Sequence, residues 1–182
     1  MRRMRKLLSL RRTPVLKPGK IDSLRLFHRM GNTTVRADDF QIVLDGEWNR
    51  ADNPDRIEIV HSSGKHQLFI SKWLQDTSDF KQLQASVAHY AELKHQGLQK
   101  LGEHIQILKI DGRVDGQQIE SRLEAHDAQQ QVAIATLIRA DRSVLLELTV
   151  YQYDVPAPNA KLRAEVHAMF DGLRLHDRNQ ES

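Results

Sequence analysis

The chain has 182 residues, no cysteine, and 27 Lys and Arg against 24 Asp and Glu. That length suits one domain with its own core, and the missing cysteines exclude disulfides, thiolate zinc sites and cysteine nucleophiles. The formal charge of +3 hides a split: residues 1–36 carry eleven Lys and Arg against one acid, Asp22, while the remainder is net acidic, so the basic character belongs to the N-terminal arm.

The arm opens on Arg2, Arg3, Arg5 and Lys6, followed by Leu7-Leu8-Ser9-Leu10 and then Arg11 and Arg12. A secretory signal needs about 7–15 apolar residues, which this run does not reach. The six cations could meet phosphates or anionic lipid, but no aromatic interleaves the first 20 residues to stack on bases. Ile21, Leu24, Phe27 and Met30 recur at spacing three, which predicts a short amphipathic helix over 21–30. Residues 1–36 are thus read as a basic extension, disordered or carrying that helix. Met30 offers an alternative start, and the ordered domain is expected to begin near Ala37.

Residues 40–44 read as a strand, Asp45-Gly46 as a turn, and Trp48 as the residue packing at its end. Residues 49–55 are polar and read as loop. Residues 56–60 and 67–71 form a hairpin through Ser62-Ser63-Gly64-Lys65. A long helix follows over about 77–101, with Phe80, Leu83, Val87, Tyr90, Leu98 and Leu101 on one stripe and Gly102 as its stop. Residues 104–110 read as a strand, with Asp111-Gly112 the turn into a meander of three strands, 118–125, 130–138 and 143–151. Asn159 caps a last helix over 160–173, and residues 177–182 read as a frayed tail.

Alternation with period two defines the faces of the meander. Ile119, Leu123, Val132, Ile134, Ile138, Val144, Leu146, Leu148 and Val150 are expected on one apolar face, covered by helix 77–101. The other face is expected to be mixed. Glu120, Glu124 and Glu147 would make its polar part soluble, and Ala133, Ala135, Leu137, Leu145, Thr149 and Tyr151 would form an apolar patch. Such a patch suits an apolar helix of a protein partner; helix 21–30 or a homodimer mate are the other covers.

No residue set declares a reaction. Nine histidines are present, but His89 and His95 are six apart, not four, and so do not share a helix face as metal ligands would. His61 and His66 flank the hairpin and could approach each other. Trp48 and Trp73 could face a ligand or close a core. There is no Gly-x-Ser-x-Gly elbow, no Gly-x-Gly-x-x-Gly and no Walker loop. No catalytic, metal or cofactor residue is assigned, and no cofactor is expected.

The segment Phe40-Gln-Ile-Val-Leu-Asp-Gly-Glu-Trp48 resembles the apolar strand, turn and Trp that open domains of the PsbP-like superfamily. The closing Met169-Phe-Asp-Gly-Leu-Arg-Leu175 resembles the final helix-to-strand segment of the same group. The likeness spans about 37–176 and includes the photosystem extrinsic subunit, DcrB-like lipoproteins and the Eag-type chaperones of type VI secretion effectors. With the elements above, the expected fold is α+β: a twisted, mainly antiparallel sheet flanked by two helices. Asp45 stands where the family commonly has a Pro before the Trp, and without a lipobox cysteine a DcrB-type lipoprotein is not expected. The resemblance implies a non-enzymatic, cytoplasmic protein-binding domain of bacterial type, nearest to an Eag-type chaperone or adaptor. Its client helix would lie on Ala133, Ala135, Leu137, Leu145, Thr149 and Tyr151. The alternative is tethering to an anion, nucleic acid or membrane surface through Arg2, Arg3, Arg5, Lys6, Arg11 and Arg12. A small enzyme with a shallow polar site ranks last.

Overall fold

A computed structural model of the chain describes residues 16–52, 57–75, 79–116 and 118–176. The N-terminal half holds seven strands: β1 (Lys17–Pro18), β2 (Arg25–Arg29), β3 (Asn32–Arg36), β4 (Phe40–Asp45), β5 (Trp48–Arg50), β6 (Ile57–His61) and β7 (His66–Leu74). Helix α1 (Phe80–Gln99) follows, then β8 (Ile105–Asp115), β9 (Gln118–Asp127), β10 (Val132–Ala140), β11 (Val144–Gln152), α2 (Ala160–Asp171) and β12 (Arg174–Leu175). The expected α+β class and antiparallel pairing hold, but the strands divide into two sheets. The larger has the order β5-β6-β7-β11-β10-β9-β8, with β1 also on β7, and the smaller has the order β12-β4-β3-β2.

The second sheet forms because the arm is strand where a helix is predicted. Residues 25–29 pair antiparallel with 32–36, and β3 pairs with β4. The hairpin turn is Met30-Gly31, both with positive φ (48° and 79°), the geometry of a two-residue turn matched to strand twist. Leu26 alone of β2 points inward, and its other residues are exposed, so the spacing of apolar residues there mimics a helix. The described fold therefore starts well before Ala37, and Met30 lies at the tip of an internal hairpin.

Three layers result. Leu83, Val87 and Ala91 of α1 pack on Ile119, Ile138, Ala140 and Leu145 on one face of the large sheet. The small sheet and α2 cover the other face: Val35, Phe40, Ile42, Leu44, Val166 and Phe170 meet Leu68, Ile70, Leu137, Leu146 and Leu148. Asp79 caps α1 by accepting from Lys81 N, and Asn159 caps α2 by accepting from Lys161 N and Leu162 N. Phe80, Leu93 and Leu101, expected on or near the stripe, are exposed.

Register corrects the expected faces. Ile138 lies opposite Glu147, and Leu137 opposite Leu148. Val144, Leu146, Leu148 and Val150 therefore share a face with Leu137, not with Ile138. Both faces are buried, so apolarity alone could not phase one strand against the next. The turn into the meander also lies later than expected, because Asp111 and Gly112 sit inside β8 and the chain reverses at Gly116 (φ 60°).

Candidate functional site

A described concavity is built from a corner between the two sheets. After β4 the chain reverses at Gly46, whose φ of 86° suits glycine. Gly46 N donates to Gly31 O (2.8 Å). The buried Thr33 hydroxyl donates to Gly46 O (2.9 Å) and accepts from Trp48 N (2.9 Å), while Trp48 Nε1 donates to Asp45 O (2.7 Å). These bonds turn the indole inward to 2% exposure. The β6–β7 hairpin, turning at Gly64 (φ 71°), then brings two imidazoles against it. Ring centroids are 5.2 Å apart for Trp48 and His61, 6.2 Å for Trp48 and His66, and 5.6 Å for the two histidines.

Above this aromatic floor lies a groove of about 520 Å³, walled by Val43 of β4 and by Val166, Ala168 and Met169 of α2. Asn32, Asp45, Gln152 and Glu165 supply its polar contacts, and among the described residues no Lys or Arg lines it. Burial, the neighbouring His61 and Lys65 together hold His66 below the usual imidazole range, against an opposing pull from Glu165. His66 Nδ1 makes no hydrogen bond among the described residues. His61 Nδ1 accepts from Ser63 N (3.1 Å) and lies 2.8 Å from Ser63 Oγ, so the neutral ring carries its proton on Nε2. That serine belongs to the hairpin turn and does not line the groove, whose described lining residues offer no hydroxyl, thiol or amine nucleophile. Among the described residues, no group of three His, Cys, Asp or Glu is placed to hold a metal ion.

A second concentration of polar groups lies between the large sheet and α2. Arg139, opposite Glu120 on the neighbouring strand, donates to Glu120 Oε2 from Nε (3.0 Å) and Nη2 (2.6 Å). Glu124 accepts from Arg163 and meets His167 Nε2 (2.6 Å). Arg122 bonds Glu120 (3.0 Å) and Asp171 (2.5 Å). On the α1 face, Glu147 holds Tyr90 Oη (2.5 Å) and Lys94 Nζ (2.6 Å). Thus Glu120, Glu124 and Glu147 are buried and ion-paired, correcting the expectation of a solvated sheet face. The cavity beside Glu124 and His167 is about 20 Å³, room for about one water. This network joins layers and offers a ligand no space.

The residues singled out in the sequence scatter. Ala133, Ala135 and Leu137 face the small sheet and α2, while Leu145, Thr149 and Tyr151 face the α1 side, as the pairings of Ala133 with Gln152 and Ala140 with Leu145 require. Leu137, Leu145 and Thr149 are buried. The six do not form one surface. Arg2, Arg3, Arg5, Lys6, Arg11 and Arg12 lie outside the described residues. Trp48 and Trp73 sit in different clusters, Trp73 stacking on Tyr90 at 4.6 Å. Only the approach of His61 to His66 is found as anticipated. Val43 and Asp45 come from β4 and Glu165 and Met169 from α2, and nothing local in the sequence marks them except the Asp45-Gly46 turn.

No protein-family model matches the sequence, and no curated protein matches it. Solved structures do. The cyanobacterial PsbP (CyanoP) of Synechocystis sp. PCC 6803 superposes with a TM-score of 0.58 at 9% identity, covering 86% of this chain and 95% of that one. The Ran-binding protein Mog1p of Saccharomyces cerevisiae gives a TM-score of 0.46 at 9% identity, covering 87% and 97%. The fold is PsbP-like. None of the described helices is long and apolar enough to cross a membrane.

Proposed function

We propose that this chain is a non-enzymatic protein-binding domain. Its groove takes an extended segment of a partner that carries one large apolar side chain beside a Lys or Arg. One observation carries the reading: among the described residues, the formally charged ones lining the groove are Asp45 and Glu165, set beside an apolar wall of Val43, Val166 and Met169 over Trp48. Such a lining attracts a cation and desolvates an apolar anchor at once. The same lining, without a nucleophile, argues against catalysis there.

A finer form makes the partner a type VI secretion effector and the chain a cytoplasmic Eag-type chaperone. It rests on the sequence resemblance, and the groove, in place of a sheet face, would then hold the client.

The test is a fluorescent heptapeptide library titrated against the full chain, with anisotropy as readout. Peptides pairing Leu, Phe or Met with Lys or Arg are expected to bind, and Glu165→Lys to weaken them about tenfold or more. Binding indifferent to Glu165→Lys and to Met169→Asp would overturn the proposal.

A further inference from the structure

Strand β8 ends the large sheet. It pairs with β9 along one side and, among the described residues, with no strand along the other. It is eleven residues long and contains no proline. An edge of this kind is a ready template for another strand unless something blocks it. The register irregularity between Ile107 and Lys109 interrupts its first part, but residues 109–115 run on regularly. Helix α1 packs chiefly on β9 and β10, and near β8 its Leu98 joins the cluster of Ile105 and Ile107 at the start of the strand. Ile110 and Val114 are accordingly left 47% and 52% exposed. They share the α1 face with Leu123 and Ile119, their partners across the ladder. On the opposite face Asp111 and Arg113 lie across from Arg122 and Glu120.

We infer that this edge is a homodimer interface in which β8 pairs antiparallel with β8 of a second copy, centred on Gly112. The register follows from symmetry. A two-fold axis normal to the sheet keeps each face continuous from one copy to the next, so the axis must pass through a residue. Centring on Asp111 sets that carboxylate against itself and Lys109 against Arg113. Centring on Arg113 sets two guanidiniums together. Centring on Ile110 pairs Lys109 with Asp111 but leaves Arg113 against Ile107, beyond the irregularity. Centring on Gly112 alone puts Asp111 opposite Arg113 and Ile110 opposite Val114, each twice by symmetry. Opposite charges and matched apolar residues directly across a ladder stabilise it, and like charges do the reverse. Glycine at the axis leaves no side chain between the two backbones. The dimer would carry one continuous sheet with both copies of α1 on the same side.

The test uses full-length protein. Sedimentation velocity across a concentration series should show a monomer–dimer equilibrium. Asp111→Arg should weaken the dimer about tenfold or more. Adding Arg113→Asp to it should tighten the dimer again relative to Asp111→Arg, because the swapped charges fall opposite each other between copies, even though the new like charges beside Arg122 and Glu120 lower the melting point of each chain. Far-ultraviolet circular dichroism checks that each variant folds. The chain lacks cysteine, so introduced thiols report register without background. An oxidised mixture of Ile110→Cys and Val114→Cys chains should cross-link between the two variants, while neither should cross-link alone. A monomer at every concentration, with residues 1–15 or an outside peptide on the edge, would overturn the inference. So would self-cross-linking of Ile110→Cys, which belongs to the other register.

Discussion

Arg139 and Glu120 face each other across β9 and β10, and both are about 5% exposed or less. The same guanidinium reaches past the carboxylate to donate to the carbonyls of Leu173 (2.6 Å) and Phe170 (3.4 Å). One side chain therefore neutralises a buried acid and satisfies carbonyls at the C-terminal end of α2, where a cation is favoured. Removing Arg139 leaves Glu120 with Arg122 (3.0 Å) and Arg113 (2.5 Å) but takes the donor from both carbonyls. Arg139→Ala is expected to cost about 1–3 kcal/mol, measured by urea unfolding.

Glu124 makes acid sensitivity a second expectation. Burial pushes its carboxyl up, but the bonds from Arg163 and His167 outweigh this and hold it below the usual range. A carboxyl with a depressed folded value stabilises the protein above its unfolded value and loses that contribution as pH falls through the folded value. Asp171, held down chiefly by its bond from Arg122, acts in the same direction. In a His66→Gln chain, which lacks the groove histidine's own titration, unfolding midpoints should hold from pH 7 to about 5 and drop below about pH 4, near the ordinary carboxylate values. Glu124→Gln should flatten the drop, and an unchanged slope would count against the pair.

The groove histidine gives a third. His66 is held below the imidazole range by burial, His61 and Lys65, with Glu165 opposing. Its contribution has the opposite partner logic but the same sign: the unfolded chain takes up the proton first, so stability falls as pH drops below the unfolded value of about 6.5. A proton here also repels the basic residue of a bound peptide. Peptide affinity should fall between pH 7 and pH 5, and a His66→Gln chain should lose most of that dependence. Imidazole carbon shifts followed by nuclear magnetic resonance give the titration directly.

Gly46 links corner and groove. A Cβ added there would run into the His61 ring, and φ is already left-handed. Gly46→Ala should cost about 1–2 kcal/mol from the backbone alone and shift the His61 and Trp48 resonances. A variant with the wild-type melting point and unshifted rings would contradict this.

The meander and the two helices were legible because their apolar residues repeat at clear periods. The cap at Asn159 and the stop near Gly102 were legible for the same local reasons. The second sheet was hidden: β2 buries little but Leu26, and Met30 is an unusual residue for a left-handed turn position. The phase of β11 was hidden because Leu145 and Leu146 are both buried, so either face looked acceptable. The acids Glu120, Glu124 and Glu147 read as solvated because their partners, Arg139, Arg163, His167 and Lys94, lie on other elements. The groove was legible only at its floor, where Trp48, His61 and His66 stand near turns. Its charged rim pairs Asp45 with Glu165 across 120 positions of chain, a closeness that only tertiary packing creates.

The hairpin β2–β3 yields a structural check. A chain trimmed to residues 30–182 loses β1, β2 and the packing of Ile21, Leu24 and Leu26 on the main core. Each side chain of this kind contributes about 1.5–3 kcal/mol when fully buried, less here. The trimmed chain should melt clearly below the full one by circular dichroism; equal melting would place those residues outside the cooperative fold.

The most direct measurement is a peptide titration on isotope-labelled full chain, using the tightest Leu–Lys or Phe–Arg heptapeptide from the library. The account predicts shifts concentrated at the Trp48 indole, the His61 and His66 rings, the Val43 and Val166 methyls and the Met169 methyl, all abolished by Glu165→Lys. Shifts confined to the β8 edge or the outer surface of α1, with the groove silent, would contradict it.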